Sequence, residues 1–166
     1  MIIIIFGLPG SGKSYFATKL AKKLKIKYVS SDVIRNHLFI VKDYTLEEKK
    51  KVYSEMIREM KKAIKQNVNI ILDATFYKKS IRNMMSEAAK KYGHSIIFIE
   101  VWADKKIIKE RLNRKRQHSD ADYSVYLHIK EVFEPMEKEH LVLQSTQENI
   151  DKMMDIAFKY IQKSHE

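Results

Sequence analysis

Apolar residues along the chain come in two rhythms. Five short runs rich in Ile and Val, at 2–6, 28–30, 68–72, 96–102 and, more weakly, 140–143, are nearly continuous rather than alternating. That pattern predicts strands buried on both faces. Between them the apolar positions recur at three and four. Met56, Ile57, Met60 and Ile64 form one stripe within 45–66, and Ile150, Met153, Ala157 and Ile161 form another near the end. Those intervals predict helices that pack a single face.

Punctuation agrees with the rhythm. Thr45 with Glu48, and Ser145 with Glu148, have the spacing of capping boxes. Asp104 is placed to cap a helix running through Arg111. Gly93 after Lys90-Lys91-Tyr92 is a helix stop. Strand and helix in alternation predict an α/β fold: one domain over 1–166, with about five parallel strands and helices on both faces. Residues 38–44 and 117–123 are the longer irregular stretches.

Composition narrows the function classes. The 166 residues hold no cysteine, which excludes thiolate nucleophiles, disulfides and cysteine–zinc sites. The six histidines show no metal-ligand spacing. The opening MIIIIF is too short, and too poor in basic residues, for a signal peptide. No apolar run approaches the roughly 18 residues of a membrane span. These features lead us to expect a cytoplasmic protein with no membrane partner. The net charge is +11. It suits an anionic partner, nucleic acid included, but lysine runs such as Lys49-Lys50-Lys51 are equally the solvated faces of helices.

The strongest chemical signal is FGLPGSGKS from Phe6. It matches the phosphate-loop pattern at every fixed position: Gly7, Gly12, Lys13 and Ser14. A strand, a tight loop and a helix start turn successive N–H groups towards one anion. The expected nucleotide contacts are Gly7, Leu8, Pro9, Gly10, Ser11, Gly12, Lys13, Ser14 and Tyr15. Lys13 should reach the β- and γ-phosphates of ATP, and the Ser14 hydroxyl should ligate Mg²⁺. The guanine-reading N-K-x-D and the transporter signature L-S-G-G-Q are both missing, as is an adenylate-kinase D-G-[FY]-P-R.

Three further segments carry candidate chemistry. NIILDATF places Asp73 at a strand end, where it could support Mg²⁺ or cap the helix of 78–90. The segment 104–117 carries Arg111, Arg114 and Arg116, candidates to neutralise transition-state charge. In VSSDVIRN, Asp32 is either a helix cap or a catalytic carboxylate, with Arg35 beside it.

Taken together, GLPGSGKS, SSDVIR, ILDATF, ERLNR and SDADYSVY…FEP resemble the P-loop kinases of the polynucleotide-kinase and zeta-toxin group. More narrowly they resemble the AAA_33-type ATP-binding proteins. The resemblance spans roughly 1–145 and implies a P-loop kinase fold with a short arginine-bearing lid at about 104–122. It implies that Asp32 activates an acceptor hydroxyl, that Arg35 binds an acceptor phosphate, and that Asp73 stands near the metal. It makes Arg111 or Arg114 the lid arginine. A lid pair spaced by four would put Lys115 at the second position, and SDAD at 119–122 is either a feature of the narrower branch or a helix cap. The activity implied is ATP-dependent phosphoryl transfer to an alcohol, with the 5′-hydroxyl of a polynucleotide as one acceptor. The alternatives are a kinase of small molecules and a nucleotide-dependent regulatory module.

Overall fold

The computed structural model describes residues 1–114 and 122–164. In chain order the elements are β1 (Ile2–Phe6), α1 (Lys13–Leu24), β2 (Lys27–Ser30), α2 (Ser31–Leu38), α3 (Leu46–Lys65), β3 (Ile70–Asp73), α4 (Lys79–Lys90), β4 (Ile97–Trp102), α5 (Lys105–Leu112), α6 (Tyr123–Glu131), β5 (Leu141–Gln144) and α7 (Ile150–Lys163). The strands form one sheet in the order β2-β3-β1-β4-β5, and every pairing is parallel. The expected α/β fold with five parallel strands is the one observed.

The isoleucine run of β1 explains why this strand lies at the centre. Ile2, Ile4 and Phe6 face a core closed by α3 and α4, through Val52, Met56, Met60, Met85 and Ala89. Ile3 and Ile5 face the opposite core, closed by α1 and α7 through Phe16, Leu20, Met153 and Ala157. Only a strand with no polar residue can serve both layers. A third, smaller cluster joins Ala103, Ile108, Leu112 and Tyr126, and packs Leu8 of the phosphate loop on α5 and α6.

Several boundaries differ from the apolar pattern. Val68 lies outside β3 and is 43% exposed. Asn67 adopts φ 54°, and the Val68 N–H donates to the Ala63 carbonyl, so the end of α3 consumes those residues. Asp104 occupies the cap position of α5 without a side-chain cap bond. The box of Ser145 and Glu148 is not formed either. α7 starts at Ile150 after Asn149, whose side chain ties Thr146 N to the Gln144 carbonyl. Of the box at Thr45, the Glu48 N–H donates to Thr45 Oγ1 at 3.2 Å. The Glu48 carboxylate turns elsewhere, as described below. No described helix is long and apolar enough to cross a membrane.

Candidate functional site

The carboxyl ends of β1, β2 and β3 meet at one edge of the sheet. Ile5 and Ser30 are both register partners of Asp73. Ligands of open parallel sheets bind at this edge.

The phosphate loop connects β1 to α1 across it. Gly7 has φ 149°, and a Cβ there would stand 2.1 Å from the Val101 carbonyl oxygen, so the loop presses on the backbone of β4. Gly12 caps α1 at φ 92° without a side-chain cap bond. The first N–H groups of α1 are thus left to an anion. Ser11 is fully buried, and its hydroxyl has no hydrogen-bond partner among the described residues.

Two cavities flank this loop and share Lys13, Ser14 and Tyr15. The first, about 600 Å³, lies between α5 and the segment joining β5 to α7. Arg111 and Arg114 both line it. Arg111 fastens its rim. Nη1 donates to the Ser11 carbonyl at 3.0 Å and, more weakly, to Gly10 at 3.4 Å. Nη2 donates to Ser145 Oγ at 3.1 Å and to the Thr146 carbonyl at 2.8 Å. Burial lowers the Arg111 pKa from its ordinary value. Arg114 lies past the end of α5 and is exposed, so the two arginines do not share one helical face. Lys115, Arg116 and 117–121 of the expected lid lie outside the described residues, and Asp122 caps α6 by accepting from Val125 N at 3.0 Å.

The second cavity, about 990 Å³, lies on the other side, between α2, α3 and α6. Asp32 and Arg35 both line it. The cap of α2 is Ser30, whose hydroxyl accepts from Asp32 N at 3.2 Å. Asp32 is therefore not the capping group. Its carboxylate is half-buried, and it is the one acidic side chain among the described lining residues. Arg35 is buried and donates from Nε to Glu48 at 2.9 Å, with its guanidinium 4.9 Å from the centre of the Tyr44 ring. Glu48 is 4% exposed and also accepts from the N–H groups of Asp43 and Tyr44.

Asp73 is 1% exposed at the end of β3. The cap position of α4 is Lys78, so Asp73 does not cap that helix. Its Oδ2 accepts from the Tyr28 hydroxyl at 2.7 Å, while Oδ1 has no hydrogen-bond partner among the described residues. Burial pushes the Asp73 carboxyl above the usual carboxylate range and the neighbouring Asp32 adds to this, while Lys13 and the Ser14 and Tyr28 hydroxyls oppose it. Burial and the Asp73 charge raise the Tyr28 phenol in turn. A buried carboxylate oxygen without a donor, beside Lys13 and Ser14, fits a divalent cation held by few protein oxygens. Among the described residues no group of three or more His, Asp or Glu could hold a metal.

The sequence reading missed Tyr28, Glu48 and Ser145. The missed Arg82 is 3% exposed and donates to the carbonyl of Phe76, a residue at φ 43°. It also holds the carbonyls of Glu134 and Pro135. Locally, Glu48 and Ser145 read as capping-box residues and Tyr28 and Arg82 carry no signal, because the side-chain partnerships Tyr28–Asp73, Arg35–Glu48 and Arg111–Ser145 join residues 45, 13 and 34 apart and Arg82 bonds backbone carbonyls.

Comparison with known proteins places this geometry. The AAA_33 model (AAA domain) matches residues 2–136. A cytidylate kinase of Sulfolobus acidocaldarius is 42% identical over 81 residues, which is 45% of this chain and 44% of that protein. The chain thus spans less than half the length of this curated relative. Among solved structures, a sugar kinase from Janibacter sp. HTCC2649 superposes with a TM-score of 0.75 at 15% identity, covering 97% of this chain and 94% of that one. The Mycobacterium tuberculosis APS kinase CysC, in complex with AMPPNP and APS, has a TM-score of 0.73 at 14% identity, with 97% and 96% coverage. Chaetomium thermophilum Kti12, in complex with ADP-AlF3, has a TM-score of 0.71 at 17% identity, with 98% of each chain covered. A family model over more than half of the chain and a fold shared along its whole length lead to one statement: the chain belongs to the AAA_33 family and has the fold of the P-loop kinases.

Proposed function

We propose that the protein transfers the γ-phosphoryl group of ATP to an alcohol seated in the larger cavity. The observation that carries this reading is the position of Asp32. Its carboxylate shares a cavity with Lys13 and Ser14 and is relieved of capping by Ser30. A carboxylate beside the γ-phosphate position serves a hydroxyl acceptor, because it can take the proton as the bond forms. The acceptor oxygen bonds to phosphorus, its proton passes to Asp32, and ADP leaves with the electrons of the broken bond. Lys13 and the α1 N-terminus bind the β- and γ-phosphates. Ser14 and Asp73 would hold Mg²⁺, which supplies neutralisation of phosphate charge when bound. The smaller cavity takes the base, with Arg111 fastening its rim and Arg114 as the lid arginine nearest the nucleotide.

The net charge of +11 supports a polynucleotide 5′-hydroxyl as acceptor, whereas a cavity of about 990 Å³ walled by three helices supports a smaller alcohol. The test is transfer of label from γ-labelled ATP to a panel of 5′-hydroxyl DNA, 5′-hydroxyl RNA, nucleosides and sugars. Label on one of them supports the kinase. Release of label to water alone favours a nucleotide-dependent switch.

A further inference from the structure

We infer that the acceptor is a neutral alcohol carrying a planar ring, of nucleoside size, rather than a polyol, a sugar acid or a polynucleotide. The inference rests on the phosphotransfer reading and concerns the same cavity. Its walls carry Tyr28, Tyr44, Tyr53 and Tyr77, with Val52 and Ile129 between them. Tyr53 and Tyr77 are 6% and 8% exposed, and the Tyr53 ring lies 5.4 Å from that of Phe76. These are fixed rings, which offer a ligand ring large apolar area and stacking at little entropic cost.

The polar groups argue the same way. Every hydroxyl of a polyol needs both a donor and an acceptor once it leaves water, and unpaired ones are costly. Among the described lining residues there is no Asn, Gln or Glu, and the single carboxylate is the one assigned to the reacting hydroxyl. The Ser30 hydroxyl oxygen already accepts from Asp32 N. The remaining polar lining groups include the hydroxyls of Ser31, Thr75 and Ser124 and the His128 ring, which suit the few hydroxyls of a nucleoside better than the closely spaced set of a polyol.

The cations are not arranged as an anion clamp. Arg35, which the family resemblance assigns to an acceptor phosphate, is neutralised by buried Glu48 and lies against the Tyr44 ring. Lys49 lies 5.6 Å from the centre of the Tyr77 ring. Both cations support aromatic walls. A carboxylate at Asp32 further disfavours an acceptor that brings its own negative charge close by.

The test is calorimetric titration of the full chain, held with Mg²⁺ and a non-hydrolysable ATP analogue. The probes are adenosine, cytidine, glucose, gluconate and a 5′-hydroxyl decanucleotide. A nucleoside should bind at least about tenfold tighter than glucose, gluconate or the decanucleotide, a gap set by ring burial. Tyr77→Leu should weaken that binding about tenfold without changing affinity for the analogue. Tyr44→Leu, at a more exposed ring, serves the same purpose if the buried variant does not fold. Tighter binding of the sugar, the sugar acid or the oligonucleotide overturns the inference, as does nucleoside binding insensitive to both substitutions, or no binding by any probe. The two readings fail separately. A nucleoside that binds but takes no label from ATP removes the phosphotransfer and leaves the ring site, while label found on glucose removes the ring site and leaves the phosphotransfer.

Discussion

The two cavities beside the phosphate loop share Lys13, Ser14 and Tyr15 but are built differently. The smaller one, the proposed base side, is joined by one guanidinium donating to three backbone carbonyls and one hydroxyl. The larger one, the proposed acceptor side, is joined by pairs of side chains brought together from distant segments: Arg35 with Glu48, and Tyr28 with Asp73. Backbone carbonyls remain whatever residues carry them, so the first arrangement depends on little besides Arg111. The second depends on both members of each pair. Damage should therefore appear as lost nucleotide affinity on one side and as lost stability or turnover on the other.

The largest effect is expected where the sides meet. Lys13→Ala should reduce transfer by on the order of 10³-fold, measured at saturating ATP, since it removes a charge aimed at the transferring phosphoryl group. Retained turnover would remove the phosphate loop from the chemistry.

On the acceptor side, Glu48→Gln leaves the buried Arg35 charge without its partner. The loss should be about 3 kcal/mol in chemical unfolding. A variant as stable as the parent would show that the pair is not part of the framework.

On the base side, Arg111→Ala should weaken ATP binding about tenfold, as expected for losing charge-assisted bonds, with turnover at saturation nearly unchanged. A large fall in turnover with unchanged affinity would instead make Arg111 the transition-state arginine and erase the distinction between the two sides.

Asp73→Asn should give the smallest shift, and in the opposite direction. The folded carboxyl titrates above its ordinary value, so its ionisation destabilises the nucleotide-free protein as pH rises through that folded value. The asparagine has no such loss. The variant should melt higher than the parent at about pH 7, and the advantage should vanish on acidification towards the usual carboxylate range of about 4. Mg²⁺-dependent stabilisation by ATP should weaken in the same variant. A variant that melts lower at neutral pH would contradict a carboxyl whose ionisation burial opposes.

The phosphate loop was more legible in the sequence than the side-chain pairs around it, for a physical reason. The loop consists of neighbours in sequence: Gly7 and Gly12 are demanded by backbone approach, and Lys13 and Ser14 follow at fixed spacing. The β1 run and the α3 and α7 stripes are local patterns too, and they place the sheet and both cores. Ends of elements were harder to read. Ser145 and Glu148 have the spacing of a cap, yet Ser145 is drawn under the phosphate loop, where a Gly12 Cβ would stand 2.7 Å from its hydroxyl. Glu48 has the spacing to close a box with Thr45, but a buried arginine is a stronger partner than an N–H group that water can reach. Asp32 itself is visible in the sequence. Its release from capping is not, because Ser30, Ser31 and Asp32 can each cap a helix until the chain direction is known.

The most direct test is single-turnover transfer by Asp32→Asn, with ATP affinity measured on the same sample. The account predicts unchanged affinity and transfer slowed by about 10²- to 10⁴-fold, the usual contribution of a positioned proton acceptor. Transfer near the parent rate, with affinity intact, would contradict it and leave Asp32 without a part in the reaction.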